Sequence, residues 1–326
     1  MTTHDQPWFE GKESRRHRAI PIWRLKLKGL KARLQGLGMR RGETSMLVQF
    51  LGFPRSGHSV VGALLDAHPE AIIAHELDLM GLVAKGVSVR SALALAHDNA
   101  RRFAAQGRFW NGYSYEVEGG HGGNAETLRV IGDKKGDRAL TALLENPDLA
   151  DRLHSETGLV LAWIVVVRNP FDNIATMELR RGRTYDRLRV AHGNSARFEQ
   201  ELRKSQGEDV PEQVSEAIVQ AYAAQLHGLE TALAALEAAG NPVVTIHHDN
   251  LSDNPTNELV RLAEALGIAP YKHWLEGAAR LIKPASRSRD KVKWKAQQVK
   301  QVEMMINDSE LLAPYRDQEA LTCSFT

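Results

Sequence analysis

Residues 46–59 read MLVQFLGFPRSGHS, and this stretch decides the fold. MLVQFLGF is a continuous apolar run of the kind carried by a strand buried on both faces. It leads into Gly52-Phe-Pro-Arg-Ser-Gly-His-Ser59, and the residues that follow, to Ala67, have helical spacing. A strand, a glycine turn and a helix form the context of a phosphate loop. The stretch fits G-x-x-x-x-G-K-[ST] except that His58 stands in place of the Lys. Gly52 and Gly57 let the backbone turn tightly, so that successive N–H groups face inward, and the next helix adds its positive end. Ser56 and Ser59 bring hydroxyl donors. Arg55 brings a cation whose planar fork suits phosphate or sulfate. The missing Lys is the group that reaches the β- and γ-phosphates of a nucleoside triphosphate, so its loss argues against ordinary ATP or GTP hydrolysis.

Working outward, Ala71–His75, Leu128–Gly132, Leu159–Val167 and Pro242–His247 read as further strands. Helical patterns cover Ser88–Gln106, Phe171–Arg181, Pro211–Ala239 and Pro255–Leu266. This alternation predicts an α/β, P-loop NTPase-like three-layer sandwich, with a central parallel sheet of about five strands flanked by helices. In such sheets ligands bind beyond the carboxyl ends of the strands. The domain layout expected is a basic arm with an amphipathic helix over 1–45, then a single domain over 46–326. Insertions are expected near 85–126 and 182–210, with residues 107–126 as a loop or lid.

A second motif, Arg168-Asn-Pro-Phe-Asp-Asn-Ile-Ala-Thr176, follows the most apolar strand. Pro170 is placed to start a helix, and Thr176 lies about two turns into it. An NTPase carries an acid for Mg²⁺ here. An Arg and a hydroxyl point instead to a second phosphate. The bland alternative is an Arg that caps a helix or pairs with Asp172.

The composition is ordinary for a globular chain, with 43% apolar and 25% charged residues in 326. The single cysteine, Cys323, excludes an internal disulfide and a cysteine zinc site, and fits a reducing, cytoplasmic setting. Neither a signal-peptide core nor an 18-residue apolar run is present. The net charge of +2 hides a split. Residues 12–41 hold eleven Lys/Arg against Glu13, and residues 280–300 hold eight against Asp290. Two concentrated basic regions suggest local anion sites and no general nucleic-acid surface. Within the arm, Trp23, Leu27, Leu30, Leu34 and Leu37 recur at helical spacing between basic residues. Two readings follow: a stripe that packs on its own domain, which is favoured, or peripheral contact of residues 12–41 with a membrane or polyanion.

The two motifs together resemble the sulfotransferases that use 3′-phosphoadenosine 5′-phosphosulfate (PAPS). PRSGHS is similar to their 5′-phosphosulfate loop, with His58 departing from the usual Thr. RNPFDNIAT is similar to their 3′-phosphate motif, with Thr176 for the usual Ser. The run PRSGHSVVGALLDAHPEAIIAHE is similar to the glycan- and tyrosyl-protein-type members. The resemblance implies that Arg55, Ser56, Gly57, His58, Ser59, Arg168 and Thr176 hold the cofactor, PAPS or its bisphosphate product. It further implies Glu76 as general base and Lys134, in IGDKKGD, as a cation near the reacting sulfate. KPASRSRDKVKW resembles the basic loop that closes over the cofactor, which places Ser286 and Arg287, with Arg289, on the 3′-phosphate. Alternation along the strand turns His75 away from Glu76.

The transferred group would go to an acceptor hydroxyl, on a small molecule or a glycan, without a metal. His247-His-Asp249 reads as a plain strand end and not a metal site, because adjacent strand residues point to opposite faces. Two rival readings remain at this point. One is a P-loop kinase or NTPase with Asp133 as its Mg²⁺ acid. The other is a non-catalytic polyanion-binding protein. The acceptor and the oligomeric state are not encoded in any motif.

Overall fold

The computed structural model describes residues 20–40, 42–110, 113–181, 201 and 212–318. Most of the insertion expected at 182–210, the first part of the arm (1–19) and Cys323 lie outside these residues.

The apolar runs pair into one parallel sheet of five strands: β1 (Met46–Leu51), β2 (Ala71–Ala74), β3 (Val130–Asp133), β4 (Val160–Val167) and β5 (Val243–His247). Their order across the sheet is β2-β3-β1-β4-β5. The chain therefore leaves β1 towards one edge and later returns to pair on its other side. The carboxyl end of β1 is the switch point of the sheet, where a crevice forms.

The helices are α1 (Ile22–Leu34), α2 (His58–Asp66), α3 (Leu79–Ala84), α4 (Val89–Ala105), α5 (Gly136–Glu145) and α6 (Leu149–Thr157). Then follow α7 (Pro170–Arg181), α8 (Glu216–Ala238), α9 (His248–Asp253), α10 (Pro255–Ala265), α11 (Lys272–Leu281) and α12 (Ala296–Asp308). Because strand side chains alternate, β4 sends Leu161, Trp163, Val165 and Val167 to one face and Ala162, Ile164 and Val166 to the other. The first set packs with residues of α4, α5, α6, α8 and α12. The second packs with residues of α2, α10 and α11. This is the three-layer α/β sandwich that the alternation of elements predicts.

Three expectations need correction. The long helix starts at Glu216, not Pro211, with Ser215 as its N-cap. Ahead of it, Glu212–Gln213 pairs in parallel with Val292–Lys293, and the Val214 N–H donates to the Lys293 carbonyl at 3.0 Å. Backbone groups committed to that ladder cannot also start a helix. Next, the loop over 107–126 is partly ordered: Phe109–Trp110 and Tyr113–Ser114 form an antiparallel pair, and Val117 is buried.

The third correction concerns the arm. Helix α1 packs on α4, but not through the stripe read from the sequence. Leu25, Gly29 and Ala32 are buried, whereas Trp23, Leu27, Leu30 and Leu34 are exposed. Gly29 makes the contact possible, since a Cβ there would lie 2.6 Å from the Ser91 Cβ. Beyond the helix, the Gly38 N–H donates to His97 Nδ1 at 3.1 Å. Burial lowers the His97 pKa to about 4, which leaves the ring neutral and able to accept. Gly29→Val should therefore cost about 1–3 kcal/mol and loosen the arm. Limited proteolysis should cut the variant near α1 sooner than the wild type, and equal protection would show that the contact is not tight.

Candidate functional site

At the end of β1 the chain turns through Gly52-Phe-Pro-Arg-Ser-Gly57 into α2. Gly57 has φ 116°, and a Cβ on it would lie 2.9 Å from the His248 ring. Both facts exclude a side chain there. The Ser56 hydroxyl donates to the Phe53 carbonyl at 3.0 Å and is fully buried, so it fastens the loop from within. His58 Nε2–H donates to the Leu51 carbonyl at 3.1 Å. Its ring fills the space above Gly136, where a Cβ would come within 2.5 Å. Burial, helped by the charge of Lys134, lowers its pKa to about 3. His58 is thus a neutral plug under the loop. The side chains of Ser56 and His58 are thus both committed to main-chain carbonyls at the loop, those of Phe53 and Leu51.

On the β3 side of β1 lies a charged cluster. Glu76, two residues past β2 and with φ 60°, is paired with both Lys134 and Lys135. The Lys135–Glu76 distance is 2.8 Å, and Lys135 also meets Asp137 at 3.0 Å. Lys134 Nζ donates to the Ser59 hydroxyl at 2.6 Å, which joins the cluster to the loop. Burial alone would raise the Glu76 carboxyl, but the two lysines outweigh it and hold the pKa well below the usual range. Burial lowers Lys134. For Lys135 burial acts downward, yet Asp137 and Glu76 together raise it. His75 is buried and stacks on Phe103 at 4.0 Å. Tyr115, half-buried, shares a hydrogen bond with Ser59 and lies within the field of Arg55.

On the β4 side stands Arg168. It reaches Thr176 Oγ1 at 2.9 Å, Ser286 O at 2.8 Å, Ser286 Oγ at 3.0 Å and Ser288 Oγ at 3.3 Å. It also touches the Arg55 carbonyl at 3.4 Å, and Asn173 Nδ2 donates to the Pro54 carbonyl at 2.8 Å. Three segments separated by more than a hundred residues of chain, the loop, β4–α7 and the stretch around 286, therefore meet at one guanidinium. All these partners are neutral oxygens. Among the described residues no carboxylate is ion-paired with Arg168, although it is only 6% exposed. Burial lowers its pKa.

Arg289 is buried against Asp172, with its N–H at 2.9 Å and Nη2 at 2.6 Å from the carboxylate, and pins this stretch to α7. Arg287 is exposed and pairs with Asp290 at 2.9 Å. Its guanidinium sits at the surface, whereas Ser286 and Ser288 of the same stretch reach Arg168. Arg55 is half-buried with φ 69°, and among the described residues no carboxylate pairs with it.

Asp133 does not serve as an acid facing the loop. Its oxygens accept from the Leu77 N–H at 3.3 Å and the Leu79 N–H at 2.9 Å, and it is fully buried. Burial, only partly offset by those two N–H groups, raises its pKa to about 7. Sequence reasoning missed Ser288, Asn173 and Tyr115, and it settled on Lys134 where the adjacent Lys135 shares the carboxylate. Lys135 and Ser288 stood beside assigned residues, and the signal lost was the register within KKGD and SRSRD. Asn173 and Tyr115 gave no sequence signal, because their roles depend on tertiary contacts. Among the described residues no three His, Cys, Asp or Glu side chains are arranged to hold a metal ion.

No family model matches the chain, and no curated protein does. Solved structures similar to it include sulfotransferases. One is a sulfotransferase from Alicyclobacillus acidocaldarius, at 14% identity and TM-score 0.41 over 86% of this chain and 98% of that one. Another is mouse sulfotransferase SULT7A1 complexed with PAP, at 11% identity and TM-score 0.40 over 88% and 92%. A third is the sulfotransferase domain from the curacin biosynthetic pathway, at 12% identity and TM-score 0.36 over 87% and 94%.

Asp133 is expected to matter for folding. Asp133→Ala strands two buried N–H groups and should cost about 2–4 kcal/mol in a denaturant titration. Asp133→Asn keeps an acceptor oxygen and should cost clearly less. Equal losses would contradict the hydrogen-bonding role.

Proposed function

We propose that the chain is a sulfotransferase that takes a sulfuryl group from PAPS and delivers it to an acceptor hydroxyl. The observation that carries this reading is the burial of Arg168 among neutral oxygens. A buried cation that no carboxylate contacts is costly even with Asp172 and Asp249 in its field, and a doubly charged phosphate is the partner that offsets it. The second motif, Arg168 with Thr176, Ser286 and Ser288, would hold the 3′-phosphate. The glycine loop, with its inward N–H groups, Arg55 and Ser59, would hold the 5′-phosphosulfate. Two anion receptacles on the two sides of β1 fit a nucleotide with separated phosphates. An NTP-hydrolysing site would need an acid facing the loop, and Asp133 is turned inward to Leu77 and Leu79.

When bound, the donor supplies an activated sulfuryl group; the residues supply position and charge. Glu76 Oε accepts the proton of the attacking acceptor hydroxyl as the new O–S bond forms. Lys134 and Arg55 meet the negative charge that develops on the transferring group and on the leaving phosphate oxygen. In the structure Lys134 is shared between Glu76 and Ser59. An anion arriving beside Ser59 competes for that ammonium, and Glu76 becomes more basic as the ion pair loosens. The double pairing thus couples donor binding to activation of the base. The setting is proposed to be cytoplasmic, and the acceptor to be a small molecule or glycan that reaches Glu76 past Tyr115.

Three outcomes are expected. Arg168→Ala should weaken binding of adenosine 3′,5′-bisphosphate by about 100-fold, whereas Arg287→Ala should change it little. Equal effects would move the 3′-phosphate away from Arg168. Glu76→Gln should retain that binding but lose about 10²–10⁴-fold in PAPS consumption with a panel of phenol and sugar acceptors. Undiminished consumption would exclude Glu76 as the base.

The third outcome concerns pH. Glu76 is ionised above its depressed pKa, so activity should fall as pH drops through that value. Lys135→Met removes one of the two charges that depress it. The acid limb of the pH–rate profile should then move to higher pH, and an unmoved limb would assign it to another group.

A further inference from the structure

Helix α1 carries two opposed apolar faces. The inner face, Leu25, Gly29 and Ala32, is buried against α4. The outer face is Trp23, 56% exposed, with Leu27 at 56%, Leu30 at 47% and Leu34 at 80%. At 3.6 residues per turn these four side chains fall within a sector of about 60°, diametrically opposite the buried one. On one border of this stripe stand Arg24 and Lys31, and on the other Lys26 and Arg33. All four are exposed, and the helix contains no acidic residue. The Arg24 guanidinium lies over the Trp23 ring at 5.2 Å. The Gly29–Ser91 contact and the Gly38–His97 hydrogen bond fix the rotation of the helix, so the stripe is held outward.

We infer that this outer face docks on an anionic lipid surface, with α1 lying in the plane of the membrane interface. The pattern has the geometry such a surface requires. An apolar row one side chain wide enters the acyl boundary, and a row of cations along each border reaches lipid phosphates at the same depth. The alkyl stems of the lysines and arginines extend the apolar surface while their heads remain in water. A protein groove would need acidic walls on both sides of a narrow apolar floor, whereas a bilayer with anionic headgroups presents that complement everywhere. The helix is about 20 Å long, too short to span a membrane. Among the described residues no helix is long and apolar enough to cross one. The contact is therefore peripheral and reversible, and independent of the sulfotransferase reading.

The test is co-sedimentation of the full chain with vesicles of phosphatidylcholine alone and of phosphatidylcholine with about one third phosphatidylglycerol. Binding to the anionic vesicles and little to the neutral ones is expected. Leu27→Ser with Leu30→Ser, and separately Lys26→Gln with Lys31→Gln, should each lower partitioning by about ten-fold or more. The melting temperature should be unchanged, because all four side chains are exposed. Failure of the wild-type chain to bind anionic vesicles would overturn the inference. So would binding that the leucine variant leaves intact, which would mark simple polycation adsorption. A dimer of the wild-type chain that the leucine variant dissolves, without vesicle binding, would show that the stripe is covered by a second copy.

Discussion

The site is organised around a buried guanidinium that has no carboxylate of its own. Arg168 ends the most apolar strand of the sheet, and its hydrogen bonds run to Thr176, Ser286, Ser288 and the loop carbonyl of Arg55. Neutral oxygens satisfy its donors without cancelling its charge. Nearby acids are otherwise engaged: Asp172 is clamped by Arg289, and Asp249 is contacted by Gln318 and His248. A positive charge is thereby stored at the carboxyl edge of β4, where a ligand can meet it. On the far side of β1 the arrangement differs, because Lys134 and Lys135 are neutralised by Glu76 and Asp137. One side leaves its cation among neutral oxygens, and the other neutralises its cations with carboxylates.

This division explains the unusual residues in between. A P-loop Lys at position 58 would add a third cation beside Lys134 and Lys135. His58 instead stays neutral, bonded to Leu51 and seated over Gly136. Asp133 is likewise turned inward to hold the turn after β2, and that turn puts Glu76 at φ 60° facing the lysines. The strained backbone at Glu76 is tolerated because its carboxylate is fixed by two ion pairs.

The sheet was legible because its strands are buried on both faces and read as unbroken apolar runs, with LVLAWIVVV the plainest. Glycines at 52 and 57 marked the loop for the same kind of reason, a backbone need that few residues meet. Arg168 and Thr176 were readable from one short segment. What was not readable depends on direction and distance. The same stretch that names Ser56 and His58 does not say that their side chains turn inward, and the string SRSRD does not say that Ser288 faces Arg168 while Arg287 faces solvent. The arm failed in a third way. Its hydrophobic stripe was found, but periodicity alone cannot say which side of a helix faces its own protein, and here small residues at 29 and 32 made the closer contact.

The most direct measurement is calorimetric titration of adenosine 3′,5′-bisphosphate into the full chain with EDTA present, beside ATP with Mg²⁺ and AMP. Metal-independent binding of the bisphosphate, much tighter than AMP, is the expected result, because only the bisphosphate brings a second anion to Arg168. ATP binding that requires Mg²⁺, with no binding of the bisphosphate, would contradict the central claim that the two clusters are a paired receptacle for separated phosphates.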